Sequence, residues 1–166
     1  MKKVIVIGSP GSGKTTFCEK LNRVTNLPIF YLDAIWWNPD KTHISRDEFD
    51  KRLDDIFKFN MWIIDGNYQR TIERRIKECD TVFLFDLPTQ TCIDGAVSRI
   101  GKTRNDVPFI DKEFDPHLKE EIEKFKEESL PEIYNLLNIY KEGREIIIFK
   151  SREDADNYIQ NLLLIE

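Results

Sequence analysis

Four consecutive apolar, β-branched residues, Val4-Ile5-Val6-Ile7, run directly into Gly8-Ser9-Pro10-Gly11-Ser12-Gly13-Lys14-Thr15. No other stretch restricts the chain as strongly. An unbroken β-branched run predicts a strand buried on both faces, as in a parallel sheet. The eight residues after it fit G-x-x-x-x-G-K-[ST] without a mismatch. Glycines let a backbone wrap closely round a phosphate with its N–H groups pointing inward. The helix expected next, with Phe17, Leu21 and Val24 on one stripe, adds the positive end of its dipole. Lys14 brings a mobile charge to the β- and γ-phosphates, and Thr15 offers a hydroxyl to Mg²⁺. Gly8 to Thr15, with Thr16 beside them, are therefore the expected cradle for a nucleoside triphosphate.

The rest of the chain supplies a matching scaffold. Strand-like runs recur at Pro28 to Leu32, Met61 to Ile64, Thr81 to Phe85 and Glu145 to Phe149. Helical patterns separate them. Ser45-Arg46-Asp47-Glu48 predicts a helix start, followed by Phe49, Leu53, Ile56 and Phe57 on one face. A short helix is expected to carry Ile72 and Ile76. A helix over roughly Thr89 to Ile100 is expected to turn Ile93, Val97 and Ile100 inward. Charged and apolar helices follow at Leu118 to Glu128 and from Ser129, and Ser151 is expected to cap the last one. Ala34 to Ile44 and Gly101 to Pro116 look irregular. Five strands alternating with helices predict a three-layer α/β/α domain with a five-stranded parallel sheet spanning residues 1–166. Ligands of such folds bind beyond the carboxyl ends of the strands.

That rule singles out the residues closing each strand. Asp65, after Trp62-Ile63-Ile64, is placed to reach the Mg²⁺. Asp33 is placed to orient or deprotonate an acceptor hydroxyl, with a helix cap as the plainer alternative. Asp86, before Leu87-Pro88, is expected to be a turn residue. Phosphoryl transfer also needs positive charge around the moving group. Arg70, Arg74 and Arg75 form one candidate cluster. Arg99, Lys102 and Arg104 form another, in what looks like a short mobile lid at about residues 99–116. Trp36 and Trp37 are candidates for an acceptor wall or for core filling.

Composition narrows the partners. The chain has 166 residues, 40% of them hydrophobic, and a formal net charge of −5. That balance argues against sequence-independent nucleic-acid binding, which draws its affinity from neutralised phosphates. Cys18, Cys79 and Cys92 are odd in number and form no CxxC pair, so neither a zinc site nor a disulfide framework is expected. With no apolar run long enough for a membrane and no leader-like N-terminus, the cytoplasm is the expected location. A monomer and a homodimer are equally compatible with the sequence.

At this level of detail the chain resembles the DNA topology modulation protein family, a group of adenylate-kinase-like P-loop proteins. The resemblance is carried by the glycine loop, Tyr31 to Trp37, Trp62-Ile63-Ile64-Asp65-Gly66-Asn67-Tyr68, Asp80-Thr81-Val82 and Gly101-Lys102-Thr103-Arg104. It implies a nucleoside-monophosphate-kinase-like core with the first strand at the sheet centre. It implies Asp33 and Trp36 on the acceptor side, Asp65 at the magnesium, and Arg75 and Arg104 at the phosphates. The loop near Lys150 to Arg152 is implied to lie by the purine, although its residues do not choose ATP over GTP. The chain departs from adenylate kinases in placing Asn67-Tyr68-Gln69 where they carry a Pro-Arg pair. The expected activity is ATP-dependent phosphotransfer to a small acceptor, with Lys14, Asp33, Arg75, Arg99 and Arg104 as catalytic residues. The alternative is a regulatory nucleotide switch acting on a protein or nucleic-acid partner.

Overall fold

The computed structural model describes residues 1–164. Its centre is a five-stranded, wholly parallel sheet in the order β2-β3-β1-β4-β5. The strands are β1 (Lys3–Gly8), β2 (Ile29–Tyr31), β3 (Trp62–Asp65), β4 (Thr81–Phe85) and β5 (Glu145–Phe149). The helices are α1 (Lys14–Thr25), α2 (Leu32–Trp36), α3 (Arg46–Phe57), α4 (Ile72–Glu78), α5 (Thr89–Val97), α6 (Pro116–Glu128), α7 (Leu130–Ile139) and α8 (Arg152–Leu163). A 3₁₀ turn, Gln69–Thr71, leads into α4.

The pleat explains why β1 reads as a continuous apolar run. Ile5 and Ile7 face one side, packing with α3, α4 and α7 through Phe49, Leu53, Ile76 and Ile133. Val4 and Val6 face the other, with Phe17 and Leu21 of α1, Cys92 of α5 and Ile159 of α8. Both sides are apolar, so the strand tolerates no polar alternation. From β1 the chain crosses to the edge strand β2, returns inward to β3, and then passes to β4 and β5 on the other side of β1. The carboxyl end of β1 is thus the switch point of the sheet, where a crevice opens. The glycine loop occupies it.

Several boundaries differ from the sequence expectation. Asp33, expected to close the second strand, lies in the first turn of α2, which runs into the Ala34 to Ile44 stretch expected to be loop. Trp37 then bridges to His43 as an isolated antiparallel pair. On α5, Val97 is 45% exposed, and the inward residues are Cys92, Gly95 and Ala96. Ile93 packs against the core as expected, but Val97 turns out, because α5 must approach the glycine loop closely. A Cβ built on Gly95 would lie 2.1 Å from Gly11 O, and one on Gly11 would lie 1.9 Å from Cys92 O. Two glycines facing each other allow backbone-to-backbone contact that no larger residue permits.

Helix ends follow their local chemistry. Ser45 accepts from Glu48 N at 3.1 Å, and Asp115 accepts from His117 N at 2.8 Å, opening α6 at Pro116. A reciprocal capping box forms at the start of α8 between Ser151 and Asp154. Gly13, at the start of α1, has no side-chain cap. That leaves the first N–H groups of α1 available to an anion.

Gly95→Ala should destabilise the fold by about 1–3 kcal/mol, as over-packing does. Urea denaturation of the variant beside Ala96→Gly, which adds no volume, measures it.

Candidate active site

The parallel register builds the site. Asp65 pairs with Val6 of β1 and Tyr31 of β2, and Gly66 N donates to Val6 O at 3.2 Å. This brings the Asp65 carboxylate level with the first turn of α1. Thr15 Oγ1 donates to Asp65 Oδ2 at 2.7 Å and lies 3.2 Å from Asp106 Oδ2. Lys14 Nζ donates to Gly8 O at 3.0 Å and to Ser9 O at 2.8 Å, so the lysine folds along its own loop.

Asp106 was not singled out in the sequence. It is 4% exposed and is anchored by Arg104, whose Nε and Nη2 donate to its two oxygens at 2.9 and 2.7 Å. Arg104 also lies 3.6 Å from Asp111. The sequence signal is an Arg-x-Asp spacing, Arg104 to Asp106, which suits a local forked pair. The segment 98–115 is irregular, as expected, and turns back on itself where Gly101 N donates to Asp111 O at 2.7 Å. Arg99, half-buried, opens onto the same space.

Two clefts meet here. One, of about 580 Å³, runs along the start of α1 past Gly13, Thr16, Arg99, Asn105 and Arg152. The other, of about 400 Å³, is bordered by Lys14, Asp33, Trp36, Trp37, Asp65 and Tyr68. Thr15, Arg104 and Asp106 border both clefts. These three residues stand between the two clefts.

Electrostatics distinguish the carboxylates. Burial, opposed by Lys14 and the Thr15 hydrogen bond, pushes Asp65 up to about 6. Burial also raises Asp33, against the hydrogen bond that Tyr68 donates to it at 2.7 Å. Burial acts on Asp106 as well, but the Arg104 hydrogen bond and the charges of Arg104 and Arg99 hold it below its ordinary value. Lys14 is lowered by burial, with Asp65 opposing.

The donors fit Mg²⁺. One Thr15 hydroxyl proton serves two carboxylate oxygens, and Asp65 Oδ1 is buried without a hydrogen-bond partner. Such a surplus of hard oxygen acceptors is what a small divalent cation satisfies. Among the described residues no group of three or more His, Cys, Asp or Glu is arranged for a metal. Two carboxylates and a hydroxyl suit an ion that keeps several waters. In the loop itself, the buried Ser12 Oγ is also unpartnered.

Arg75 departs from its expected place at the phosphates. It is 0% exposed, inside α4. Its guanidinium donates to Gly66 O at 2.7 Å, Tyr68 O at 3.2 Å, Asn67 O and Thr71 Oγ1. Burial lowers it to about 9, which leaves it a cation at neutral pH. Those four acceptors use four of its five donors, so Arg75 holds the Asp65-to-Tyr68 turn from beneath. That support is needed because Tyr68 has a left-handed backbone, with φ of 33°. Arg70 and Arg74 also turn away from the phosphates, to Asp50 and Asp54 of α3.

The remaining candidates separate cleanly. Trp36 and Trp37 border the second cleft, Trp36 stacking on His43 at 4.4 Å. Trp62 is wholly core, as are Cys18 and Cys92. Asp86 is more than a turn residue: it is 7% exposed and joins Lys150, Tyr134 at 2.8 Å and Lys126 at 3.6 Å, linking α6 and α7 to the end of β5. Arg152 borders the first cleft and clamps the loop, donating to Gly11 O at 2.9 Å and Ser12 O at 3.3 Å.

A five-stranded parallel sheet ordered this way, with the glycine loop at its switch point, is the kinase-like fold of P-loop nucleotide-binding proteins. Comparisons with known proteins agree. Shikimate kinase from Bacteroides thetaiotaomicron aligns with a TM-score of 0.61 at 14% identity, covering 98% of this chain and 96% of that one. An unliganded sugar kinase from Janibacter sp. aligns at 0.57 and 18% identity, covering 99% and 93%. Deoxyadenosine kinase from M. mycoides, with bound dATP, aligns at 0.52 and 13% identity, covering 96% of each. In sequence, adenylate kinases from Thermotoga petrophila and Thermotoga maritima are 26% identical over 88 residues, 52% of this chain. That match spans only 39% of the length of those relatives. No family model matches the chain. Among the described residues, no helix is long and apolar enough to cross a membrane.

Two outcomes are expected. Arg75→Met should cost about 3 kcal/mol in urea denaturation, because three carbonyls of a part-buried turn lose their buried donor. The raised Asp65 binds its proton more tightly when the chain is folded. The stability it contributes is therefore present below its unfolded value and lost as pH rises through about 6. Wild type should lose about 2–3 kcal/mol relative to Asp65→Asn between pH 4 and pH 7, read from paired urea titrations.

Proposed function

We propose that this protein is an ATP-dependent phosphotransferase that moves the γ-phosphoryl group of a Mg²⁺-bound nucleoside triphosphate to the hydroxyl of a small acceptor. The observation that carries this reading is the pair of clefts meeting at Thr15, Arg104 and Asp106. A nucleotide switch needs only the first cleft.

The nucleotide lies along the first cleft, its phosphates wrapped by Gly8 to Thr16. The loop N–H groups and the uncapped start of α1 take the phosphate oxygens. Lys14 moves from the loop carbonyls to the β- and γ-phosphates. Thr15 and Asp65, joined by Asp106, would hold Mg²⁺, which would offset negative charge on those phosphates. Arg104 and Arg99 place positive charge on the transferring group, and segment 99–116 acts as the lid that excludes water. Arg75 contributes from behind by fixing the turn that carries Asp65.

Asp33 faces the acceptor, and Tyr68 fixes its orientation through the 2.7 Å hydrogen bond. Its raised proton affinity suits a general base. The acceptor oxygen forms a bond to the γ-phosphorus as the bond from that phosphorus to the β,γ-bridging oxygen breaks. The diphosphate leaves with that electron pair, and the hydroxyl proton passes to Asp33. The kinase names of the structural neighbours are consistent with this chemistry. The resemblance to DNA topology modulation proteins concerns the same core, and a net charge of −5 favours an indirect route for any effect on DNA.

Lys14→Ala is expected to abolish nucleotide turnover while unfolding stays cooperative. Asp33→Asn should lower kcat by about 10²–10⁴, the usual worth of a general base, with little change in nucleotide affinity. A coupled ADP-release assay across alcohol acceptors, with and without Mg²⁺, tests both. Turnover that ignores every acceptor would remove the phosphotransfer reading.

A further inference from the structure

Where β3 ends, the sheet ladder changes partners. Gly66 N still donates to Val6 O, and in a parallel ladder the next bond would run from Gly8 N to Gly66 O. Instead, Gly66 O accepts from Arg75 Nη1 at 2.7 Å, and Gly8 N donates to the side-chain Oδ1 of Asn67 at 3.3 Å. The turn thus leaves the sheet at Gly66, whose φ is 139°. A side-chain amide stands in for the lost ladder bond, while Asn67 O and Tyr68 O go to the same guanidinium.

The direction of that amide is fixed by its neighbours. A backbone N–H only donates, and a carboxylate only accepts. Gly8 N therefore faces Asn67 Oδ1, which leaves Asn67 Nδ2 to donate to Gln69 Oε1 at 3.3 Å. Gln69 Nε2 donates in turn to Glu132 of α7 at 2.8 Å and lies 3.4 Å from Ser129 O. Turning over the Asn67 amide would face donor to donor, and turning over Gln69 would face acceptor to acceptor.

Gly8 needs this hold. It opens the phosphate loop with φ of 142°, and a Cβ there would lie 2.6 Å from Phe85 O, so no side chain of its own fixes it. Its C=O accepts from Lys14 at 3.0 Å, but in the reaction proposed above Lys14 moves to the phosphates. Asn67 is then the side chain that still holds Gly8 on the β3 side. The next residue, Tyr68, donates to Asp33 at 2.7 Å. Adjacent residues of one turn therefore hold the first residue of the phosphate loop and the proposed base, and both border the second cleft.

We propose that Asn67 is a positioning residue for phosphoryl transfer, fixing the phosphate loop at Gly8 relative to the Tyr68-oriented Asp33. Its effect on transfer rests on the phosphotransfer reading above, whereas its hold on Gly8 does not. Its part is to set the separation across which the acceptor oxygen meets the γ-phosphorus, where a misplacement of about 1 Å can cost about 10²-fold in rate.

Asn67→Leu removes the amide at nearly constant volume, and Asn67→Asp returns an oxygen to the Gly8 N–H. Hydrogen exchange of the Gly8 amide reads the contact directly, by NMR on the full chain with Mg²⁺ and a non-hydrolysable ATP analogue. Exchange is expected to be about tenfold faster in Asn67→Leu and close to wild type in Asn67→Asp, while the Gly66 amide keeps its rate in both. ADP release from ATP and Mg²⁺ with glycerol, glucose and adenosine as acceptors reads the consequence. Asn67→Leu should lower kcat about tenfold with the KM for ATP unchanged, and Asn67→Asp should recover most of the loss. Asn67→Leu combined with Tyr68→Phe should lose less than the product of the single losses, because both act on one alignment. If Asn67→Leu does not unfold cooperatively in urea, Gln69→Leu, which frees the Asn67 amide to turn over, is expected to speed Gly8 exchange about threefold. Unchanged Gly8 exchange, a raised KM for ATP with kcat intact, or no recovery by Asn67→Asp would overturn the positioning role. ADP release that ignores every acceptor, with Gly8 exchange still responding, would instead overturn the phosphotransfer reading and leave the tie between Asn67 and Gly8 standing.

Discussion

The hydroxyl of Thr15 is where the separate parts of this molecule meet. It belongs to the first turn of α1, it donates to Asp65 at the end of β3, and it lies against Asp106 from the irregular segment after α5. Each partner arrives by a different structural route. α1 is fixed by the glycine loop at the sheet switch point. Asp65 is fixed by parallel pairing on both of its sides. Asp106 is fixed by the forked grip of Arg104. The arrangement concentrates negative oxygen around one proton, which suits a bound cation.

The sheet was legible because its signal is redundant. β1, β4 and β5 are runs of apolar, mostly β-branched or aromatic residues, and the helices between them repeat apolar positions at helical spacing. The glycine loop carries its own geometry in its residue types, and Asp65 follows from the strand-end rule. What escaped the sequence depends on where chains cross in space. The inward face of α5 is set by Gly95 meeting Gly11, two residues far apart in sequence, so the apolar count along α5 misplaced Val97. α2 escaped because Trp36 and Trp37 beside Asn38-Pro39 carry the composition of a loop.

Arginine placement shows the same limit from the other side. Arg75, Arg70 and Arg74 are close in sequence to Asp65; charge made all three phosphate candidates, and the family resemblance singled out Arg75. Helical geometry divides them. On α4, Arg75 faces inward beneath the Asn67-Tyr68 turn, whereas Arg74 faces outward to α3 with Arg70. A buried arginine satisfied by carbonyls serves the backbone it touches. Arg104 pairs instead with a carboxylate two residues away in its own segment.

The contact between Gly11 and Gly95 reaches beyond packing. Both backbones are in touch, and Arg152 closes over them from α8 through Gly11 O and Thr91 O. No side chain lies between them to deform, so the phosphate loop and α5 form one stiff lever. The end of that lever is Ser98 and Arg99, where the irregular segment begins. The glycine loop and the segment bearing Arg104 and Asp106 are thus joined to the two ends of one helix, α5, with no side chain between loop and helix at the glycine contact.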